Sequence, residues 1–317
     1  MPIVIRPPWY LPERDATPES AYLGRRDFLR VLGTGTIAGA VLAKLGCARA
    51  DKLAAPTKTL SSGYKHNKKY VLDRPITNEQ VVSTYNNFYE FSEDKGDVAE
   101  LAQALTITPW AVTFAGLVKK QFTIDVADLV KKMGLEERLY RHRCVEAWSM
   151  AVPWIGFPLK KMIELAQPLS SAKFVRFISF MKPDEAPLQR RAKWYPWPYF
   201  EGLTMTEATN ELAFACVGIY GHDLPKQNGA PLRLAIPWKY GYKSAKSIVR
   251  VEFVADQPPT FWNTLAPSEY SFTSNVNPRV PHPRWSQATE RLIGASERRP
   301  TLLYNGYGEQ VASIYEK

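Results

Sequence analysis

A chain of 317 residues with 45% hydrophobic content is long enough to bury one large core or two modest ones. This composition excludes a disordered chain and a fibrous repeat. The formal charge of +10 is spread along the chain: residues 1–50 hold seven basic and four acidic residues, and the remainder holds 34 and 27, a net of +7. No run of five or six like charges occurs, which favours a solvated surface over a nucleic-acid interface.

The first 50 residues have the pattern of an export signal. Arg25 and Arg26 precede a weakly apolar stretch of about 15 residues, and the small-residue motif ARA occupies residues 48–50. This pattern predicts a twin-arginine signal peptide over residues 1–50. A membrane anchor is the alternative, but the stretch contains three glycines and Lys44 and is shorter than the roughly 20 residues of a membrane span.

A glycine run within the same stretch imitates a dinucleotide-binding motif. Residues 33–39 read GTGTIAG, so the spacing is G-x-G-x-x-x-G, and no strand pattern precedes it. We therefore reject a pyridine-nucleotide site here and expect no direct use of NAD(P)H.

Residues 51–75 are polar and rich in lysine, and we predict that they form an extended lead-in to one domain, residues 76–317. Alternating apolar and polar residues predict a strand from Trp110 that turns at Gly116. A helix then begins at the capping residue Asp125 and stops at Gly134. Alternation returns in RLYRHRC, which predicts a strand that ends at Cys144.

The second half of the chain continues the interleaving of helices and strands. FPLKKMIELAQP predicts a short helix opened by Pro158, and KFVRFISF, PLRLAIP and SIVRVEFVAD predict strands. The capping-box pair Thr204 and Glu207 predicts a helix that runs to about Tyr220 and buries Cys216, and a helical segment is predicted at residues 287–292. No strict βαβ period or internal repeat occurs, so the predicted fold class is α+β, a single domain with a mixed sheet.

Long aromatic and proline-rich loops occupy residues 182–199 and the last 60 residues. Loops of this length in a compact domain are commonly functional, so we expect them to wall a site.

Two cysteines, Cys144 and Cys216, remain after removal of the signal, and in an oxidising compartment they could pair. Cys216 lies in an apolar run, which favours a small core residue. Cys144 lies in RHRCVE, where neighbouring cations are expected to lower the pKa of its thiol. In a strand His142 shares the face of Cys144, and Arg141 and Arg143 share the other.

Three roles for Cys144 compete: a core residue, half of a disulfide, or a thiolate for a metal or a reaction. The surrounding residues match no local motif of a cysteine nucleophile. A zinc site is disfavoured because the chain has no CxxC or HxxxH motif and only four histidines. A cofactor that brings its own ligands and takes one protein sulfur, as molybdenum held by a pterin dithiolene does, fits a lone cysteine.

Four segments resemble a known family: YNNFYEF, RCVEAWSMAVPWIGFPL, LPKQNGAPLRLAIPWKYGYKSAKSIV and TFWNTLAPSEYSFTSNVNPRVPHPRWSQATE. They are similar to the catalytic subunit of the periplasmic protein-methionine-sulfoxide reductases, which contains molybdopterin and has the sulfite-oxidase fold. The resemblance runs from about Tyr85 to Glu290 and includes the signal. It implies reduction of methionine sulfoxide in exported proteins by oxygen-atom transfer at one Mo-molybdopterin per chain. It also implies a periplasmic enzyme that receives electrons from a haem-containing membrane partner.

The resemblance also assigns site residues. It implies that Cys144 is the catalytic protein ligand of molybdenum. Where the family has threonine in a later strand, this chain has Ser179, which keeps the hydroxyl. The other positions that the resemblance assigns to the pterin and its phosphate are Asn86, Tyr89, Glu90, Asn228, Arg233, Ser244, Ala245 and Lys246.

Physical chemistry is compatible with these roles. Arg233 and Lys246 can neutralise a phosphate, and backbone N–H groups of residues 244–246 can form an anion nest. The nearest alternative is a sulfite oxidase or a reductase of small S- or N-oxides. An exported binding protein without enzymatic activity, whose aromatic loops grip a ligand, is the alternative from another class.

Overall fold

Two mixed β-sheets form the framework of the computed structural model, which describes Leu60 and residues 63–316. Every described residue belongs to one compact unit, Pro56–Lys317. The predicted signal peptide and much of the lead-in lie outside the described residues. Within the described part, no helix has the length and apolar character needed to cross a membrane.

The strands are β1 (Lys65–His66), β2 (Ala111–Gly116), β3 (Phe122–Asp125), β4 (Glu136–Arg143), β5 (Trp148–Pro158), β6 (Phe174–Ser179), β7 (Phe200–Thr204), β8 (Phe214–Ile219), β9 (His222–Asp223), β10 (Arg233–Ala235), β11 (Ile248–Val254), β12 (Thr289–Leu292) and β13 (Arg298–Pro300). The α-helices are α1 (Glu79–Thr84), α2 (Val98–Leu101), α3 (Val126–Lys132), α4 (Leu159–Ala166), α5 (Pro187–Arg191), α6 (Met205–Ala208), α7 (Phe261–Leu265) and α8 (Gly308–Val311). Five 3₁₀ turns complete the described elements: Ala102–Ala104, Lys226–Asn228, Gly241–Lys243, Leu303–Gly306 and Ala312–Ile314.

The larger sheet is built around β5. This strand pairs antiparallel with β4 and β8 and parallel with β12, and β8 in turn pairs with β9 and β10. Ten of its eleven residues are buried. The smaller sheet has the order β3-β2-β11-β6-β7, with β2 and β11 parallel and the other pairs antiparallel. The α+β fold class predicted from the sequence is confirmed.

Most of the predicted elements are present. Strands β2, β4, β6, β10 and β11 and helices α3 and α4 lie where the sequence predicts them, and Asp125 caps α3 by accepting a hydrogen bond from the Ala127 N–H, 2.8 Å away. Gly116 has φ +78°, and an added Cβ would meet the Phe253 carbonyl oxygen at 2.3 Å, so the turn there requires glycine.

Two predicted helices are wrong. Thr204 and Glu207 do form a capping box, but α6 ends at Ala208, and the following apolar run is the buried strand β8. Cys216 is therefore buried in a strand and not in a helix. The segment predicted as helical at residues 287–292 contains β12, which pairs with β5. In both cases strand pairing within the larger sheet outweighs the helical conformation that the local sequence pattern favours.

Candidate functional site

A cavity with about 970 Å³ of empty space, counting its open mouth, lies beside the end of β4. Its wall combines the end of β4, the start of β5 and the segment that follows α1. Seven of the ten residues that the sequence assigns to a site line it: Asn86, Tyr89, Glu90, Cys144, Asn228, Arg233 and Lys246. Long-range folding thus brings together residues that are up to 160 positions apart.

Cys144 opens a tight turn of residues 144–147 between β4 and β5. Its N–H donates to the Trp148 carbonyl oxygen at 2.9 Å, and Ala147 has a left-handed φ of +60°. Two donors approach the sulfur: the Asn87 amide, whose Nδ2 is 3.5 Å from Sγ, and the Glu146 backbone N–H, at 3.4 Å. The turn therefore presents one sulfur to the cavity.

Burial, followed by the charge of Glu146, raises the pKa of the Cys144 thiol to about 12, although Arg143 and Lys95 act in the opposite direction. Arg143 thus lowers this pKa as expected, but burial outweighs the effect of the cations in the protein alone. A thiol that stays protonated at neutral pH is a poor free nucleophile. A bound metal cation would supply the positive charge that a coordinating thiolate needs.

The two described cysteines do not pair. Cys144 and Cys216 are both free and buried, and Cys216 packs in the core on β8. The disulfide alternative is therefore excluded in this structure, and Cys216 has the predicted role of a small core residue.

Asn86 and Asn228 face each other across one carbonyl group. Both side-chain Nδ2 atoms donate to the Val82 carbonyl oxygen, at 3.0 and 3.1 Å, and both Oδ1 atoms are buried without any hydrogen-bond partner in the described structure. A buried amide oxygen left unpaired costs about 1–3 kcal/mol. Two such oxygens on one cavity wall fit a ligand that donates hydrogen bonds there, as the edge of a heterocycle does.

Arg233 and Lys246 give the cavity a positive wall. The Arg233 guanidinium donates to the carbonyl oxygens of Leu234 and Asn228 at 3.1 and 2.8 Å, and its Cζ lies 4.6 Å from the centre of the Trp154 ring. None of these partners of Arg233 carries a negative charge, so its positive charge is not neutralised by them. Burial and then the charge of Arg233 lower the pKa of Lys246, which donates to the Asn87 carbonyl oxygen. An anion in this part of the cavity would relieve that repulsion.

Glu90 lines the same region, and burial raises its pKa. Lys246 acts in the opposite direction and lowers the pKa of Glu90. His142 also lines the cavity, as its shared face with Cys144 predicts, and burial lowers the pKa of His142 to about 3, which keeps the ring neutral.

Three predicted residues lie behind the wall and not on it. The Ser179 hydroxyl donates to the Lys246 carbonyl oxygen at 2.9 Å, and the Ser244 hydroxyl accepts from the Ile236 N–H at 3.1 Å. Ala245 is buried, and its carbonyl oxygen accepts from the Leu234 N–H at 2.9 Å. These contacts hold the segment that carries Lys246.

Sequence reasoning missed several residues of the wall. Asn87 and Glu146 flank the sulfur and contact each other, with Asn87 Nδ2 3.3 Å from Glu146 Oε2. Asn87 follows Asn86, and Glu146 lies two positions after Cys144, so both stand inside the quoted motifs. Their closeness in sequence to predicted site residues could have identified them. Five aromatic residues that the sequence reasoning did not group together also line the cavity: Tyr89, Tyr199, Tyr242, Trp262 and Tyr270.

The donor set fits molybdopterin better than a bare metal ion. The described residues contain no group of three or more His, Cys, Asp or Glu side chains arranged around a common metal position. They do provide one sulfur, two unpaired amide oxygens and two cations around one cavity. A metal that arrives with a dithiolene, a heterocycle and a phosphate would use each of these groups.

Comparison with known proteins agrees with this reading of the cavity. A family model described as an oxidoreductase molybdopterin binding domain matches residues 99–262. This chain belongs to that family. It is therefore an oxidoreductase of the molybdopterin-dependent class, and the cavity is its candidate active site.

One curated relative spans nearly the whole chain. It is the "Protein-methionine-sulfoxide reductase catalytic subunit MsrP" of Burkholderia mallei (strain ATCC 23344), 47% identical over 96% of this chain and 93% of the relative. Among solved structures, the sulfane dehydrogenase SoxCD from Paracoccus pantotrophus aligns with a TM-score of 0.45 at 13% identity. That alignment covers 59% of this chain and 48% of the SoxCD chain.

Proposed function

We propose that this chain reduces methionine sulfoxide in exported proteins to methionine, as the catalytic subunit of a two-component system. The observation that carries the proposal is the meeting of one buried cysteine sulfur with two unpartnered amide oxygens and two cations in one cavity. The reaction consumes two electrons and two protons, breaks the sulfur–oxygen bond, and releases a thioether and water. When bound, the molybdenum centre supplies the two-electron oxygen-transfer chemistry.

In this proposal Cys144 gives the metal its protein sulfur ligand. Asn86 and Asn228 accept hydrogen bonds from the heterocycle, and Tyr89 and Glu90 complete that wall. Arg233 and Lys246 neutralise the phosphate, Arg as a fork and Lys as a point charge. Three further residues act indirectly, because they hold the backbone of the segment that carries Lys246: Ser179, Ser244 and Ala245.

The aromatic lining of the cavity supports a thioether-forming reaction. Tyr89 and Trp262 pack edge to face with ring centres 4.9 Å apart, and Trp262 and Tyr270 lie 5.3 Å apart. Such rings contact sulfur and methyl groups favourably and keep bulk water from the reacting atoms. Among the described residues that line the cavity, Arg233 is the sole arginine. The sulfite oxidase alternative needs further arginines for its small anionic substrate.

A protein substrate fits this cavity better than the free amino acid. Oxidised methionine no longer suits an apolar core, so it becomes exposed on partly unfolded chains. Contacts between such a chain and the segment of residues 182–199, which contains α5, add binding energy at a distance from the reacting sulfur. We therefore expect a higher kcat/KM for oxidised, partly unfolded proteins than for free methionine sulfoxide.

The remaining features of the proposal are periplasmic location, twin-arginine export and a haem-containing membrane partner. A cofactor buried in a folded cavity must be inserted before export, and the twin-arginine route carries folded proteins. An exported enzyme has no access to cytosolic NADPH, so electrons come from a membrane donor. The domain limits remain residues 1–50 for the signal, 51–75 for the lead-in and 76–317 for the catalytic domain.

Steady-state kinetics with an artificial electron donor tests the function. Oxidised protein, free methionine sulfoxide and sulfite are compared with the same enzyme preparation. We expect sulfoxide reduction to exceed sulfite oxidation, and oxidised protein to be preferred. Faster sulfite oxidation would assign the enzyme to the alternative activity, and equal kcat/KM for the two sulfoxides would refute the role of contacts with residues 182–199.

A further inference from the structure

The turn that carries Cys144 is held from outside the cavity by the carboxyl-terminal segment. The Val145 carbonyl oxygen accepts two hydrogen bonds, from the Trp285 indole Nε1 at 2.7 Å and from the Gln287 amide Nε2 at 2.6 Å. The Ala147 carbonyl oxygen accepts from the Arg291 N–H at 2.9 Å. All three donors lie beyond residues 99–262, the part matched by the family model.

A buried polar network holds Gln287, one of these donors, in place. The Arg143 guanidinium, fully buried, donates to the Cys144 carbonyl oxygen and to Gln287 Oε1, the latter at 2.8 Å. Its Nε donates to Glu290 Oε2 at 3.0 Å. Glu290 also accepts from Arg74 and Ser149, at 3.0 and 2.9 Å. Every member is hydrogen-bonded, and a fully satisfied buried network favours one fixed arrangement.

The turn needs such support because its backbone is strained. Ala147 has a left-handed φ of +60°, a conformation that residues with a Cβ disfavour. Strained backbone persists where surrounding contacts over-determine it. Here the contacts act on the carbonyl oxygens of residues 144, 145 and 147, while the Cys144 sulfur points to the cavity.

We propose that Trp285 and Gln287 are positioning residues that set the direction of the Cys144 sulfur toward the metal. This inference rests on the proposed function, in which Cys144 is the metal ligand. Neither residue lines the cavity, so each acts through the Val145 carbonyl group. Displacements of about 1 Å at a reacting centre lower rates by about 100-fold, so loss of one or both bonds should be measurable.

Two substitutions remove the donors separately. Trp285→Phe keeps an aromatic ring to stack on His282 and removes the indole N–H, and Gln287→Met keeps the length of the side chain and removes the amide. Asn210→Leu is the matched control, because the Asn210 amide, like that of Gln287, donates to a backbone carbonyl oxygen, here of Gln310, and its oxygen accepts one hydrogen bond, here from the Leu212 N–H. It does not line the cavity.

Each holoenzyme is measured for molybdenum content, thermal midpoint, kcat, KM and the electron paramagnetic resonance spectrum of the half-reduced metal. We expect the double variant Trp285→Phe/Gln287→Met to keep its molybdenum, to shift the spectrum, and to lose about tenfold in kcat with KM within about twofold. The single variants should shift the spectrum less. Asn210→Leu should lower the thermal midpoint and leave spectrum and kcat unchanged.

A parental spectrum and parental kcat in both single variants would overturn the inference, whether or not the double variant folds. Failure of the proposed function would look different. The parental enzyme would then lack molybdenum, or Cys144→Ser would retain the parental spectrum.

Discussion

At the scale of single residues, burial decides what Cys144 and its neighbours can do. A thiol enclosed beside Glu146 has a raised pKa and stays protonated without a metal, whereas the same sulfur in contact with a cation becomes a ligand. Asn86 and Asn228 show the same logic for hydrogen bonds, because both residues line the cavity and each has one buried side-chain oxygen without a partner. The chemistry of the site thus follows from side-chain groups that lack a partner within the protein.

The two cysteines make a matched pair of substitutions. Cys144→Ser should fold and lose at least about 100-fold in turnover, because a hydroxyl is a harder and more basic ligand than a thiolate. Cys216→Ala should retain activity and lose about 1 kcal/mol of unfolding free energy, as expected of a modest core change. Activity assays and urea unfolding measure both. Near-parental turnover in Cys144→Ser would refute the ligand assignment.

Asn228→Leu tests the unpaired amide oxygen. The variant loses a hydrogen bond to the bound heterocycle, which should weaken cofactor binding by about tenfold, or about 1.4 kcal/mol. Because the amide also donates to the Val82 carbonyl oxygen, the cofactor-free protein is affected as well. The informative quantity is therefore the difference in Tm between loaded and cofactor-free protein, which should shrink. An unchanged difference would contradict a direct contact.

At the scale of elements, periodic patterns predicted the half-exposed strands and helices α3 and α4 correctly. The pattern failed where both faces of a strand are buried: β5 was not predicted, and the run FACVGI of β8 was read as helix. Such runs carry no alternation, and pairing with neighbours distant in sequence decides their conformation. The same limit explains why the hydrogen bonds of Trp285 and Gln287 to Val145 could not be predicted, although both residues stand in a motif quoted for the family.

Helix α6 is tied to the rest of the fold by a buried ion pair. Lys239 Nζ lies 2.5 Å from Glu207 Oε1, and both side chains are almost fully buried. Tyr315 also donates to Glu207 at 2.7 Å. Lys239→Met should lower the unfolding free energy by about 3–5 kcal/mol, because it leaves a buried carboxylate uncompensated. The double variant Lys239→Met/Glu207→Gln should recover part of that loss in urea unfolding. A loss below about 1 kcal/mol in the single variant would show that Glu207 is not held as a charged partner.

At the scale of the whole molecule, the predicted signal peptide and the cavity are related through the order of folding, cofactor insertion and export. The cavity takes its lining from residues between 82 and 270, so the site for the cofactor is complete only when those elements have folded together. Export of the folded chain, which the predicted twin-arginine signal implies, is compatible with this location of the site. The family could be predicted from the sequence, because its motifs are contiguous. The orientation of the carboxyl-terminal segment could not, because its contacts are long-range.

Substituting Arg25 and Arg26 by lysine should block export. Lysine retains the charges and removes the arginine pair that defines this signal, so the loaded protein should accumulate in the cytoplasm. Cell fractionation with a molybdenum assay of each fraction measures the effect. Parental amounts of mature protein outside the cytoplasm would contradict the predicted route.

We propose that the cavity beside Cys144 holds molybdenum on a pterin. Elemental analysis of the purified full-length protein, from cells that make the cofactor, tests this most directly. We predict about one molybdenum per chain, with equal amounts of pterin released on denaturation. Protein that folds normally in such cells and contains neither molybdenum nor pterin would contradict the account.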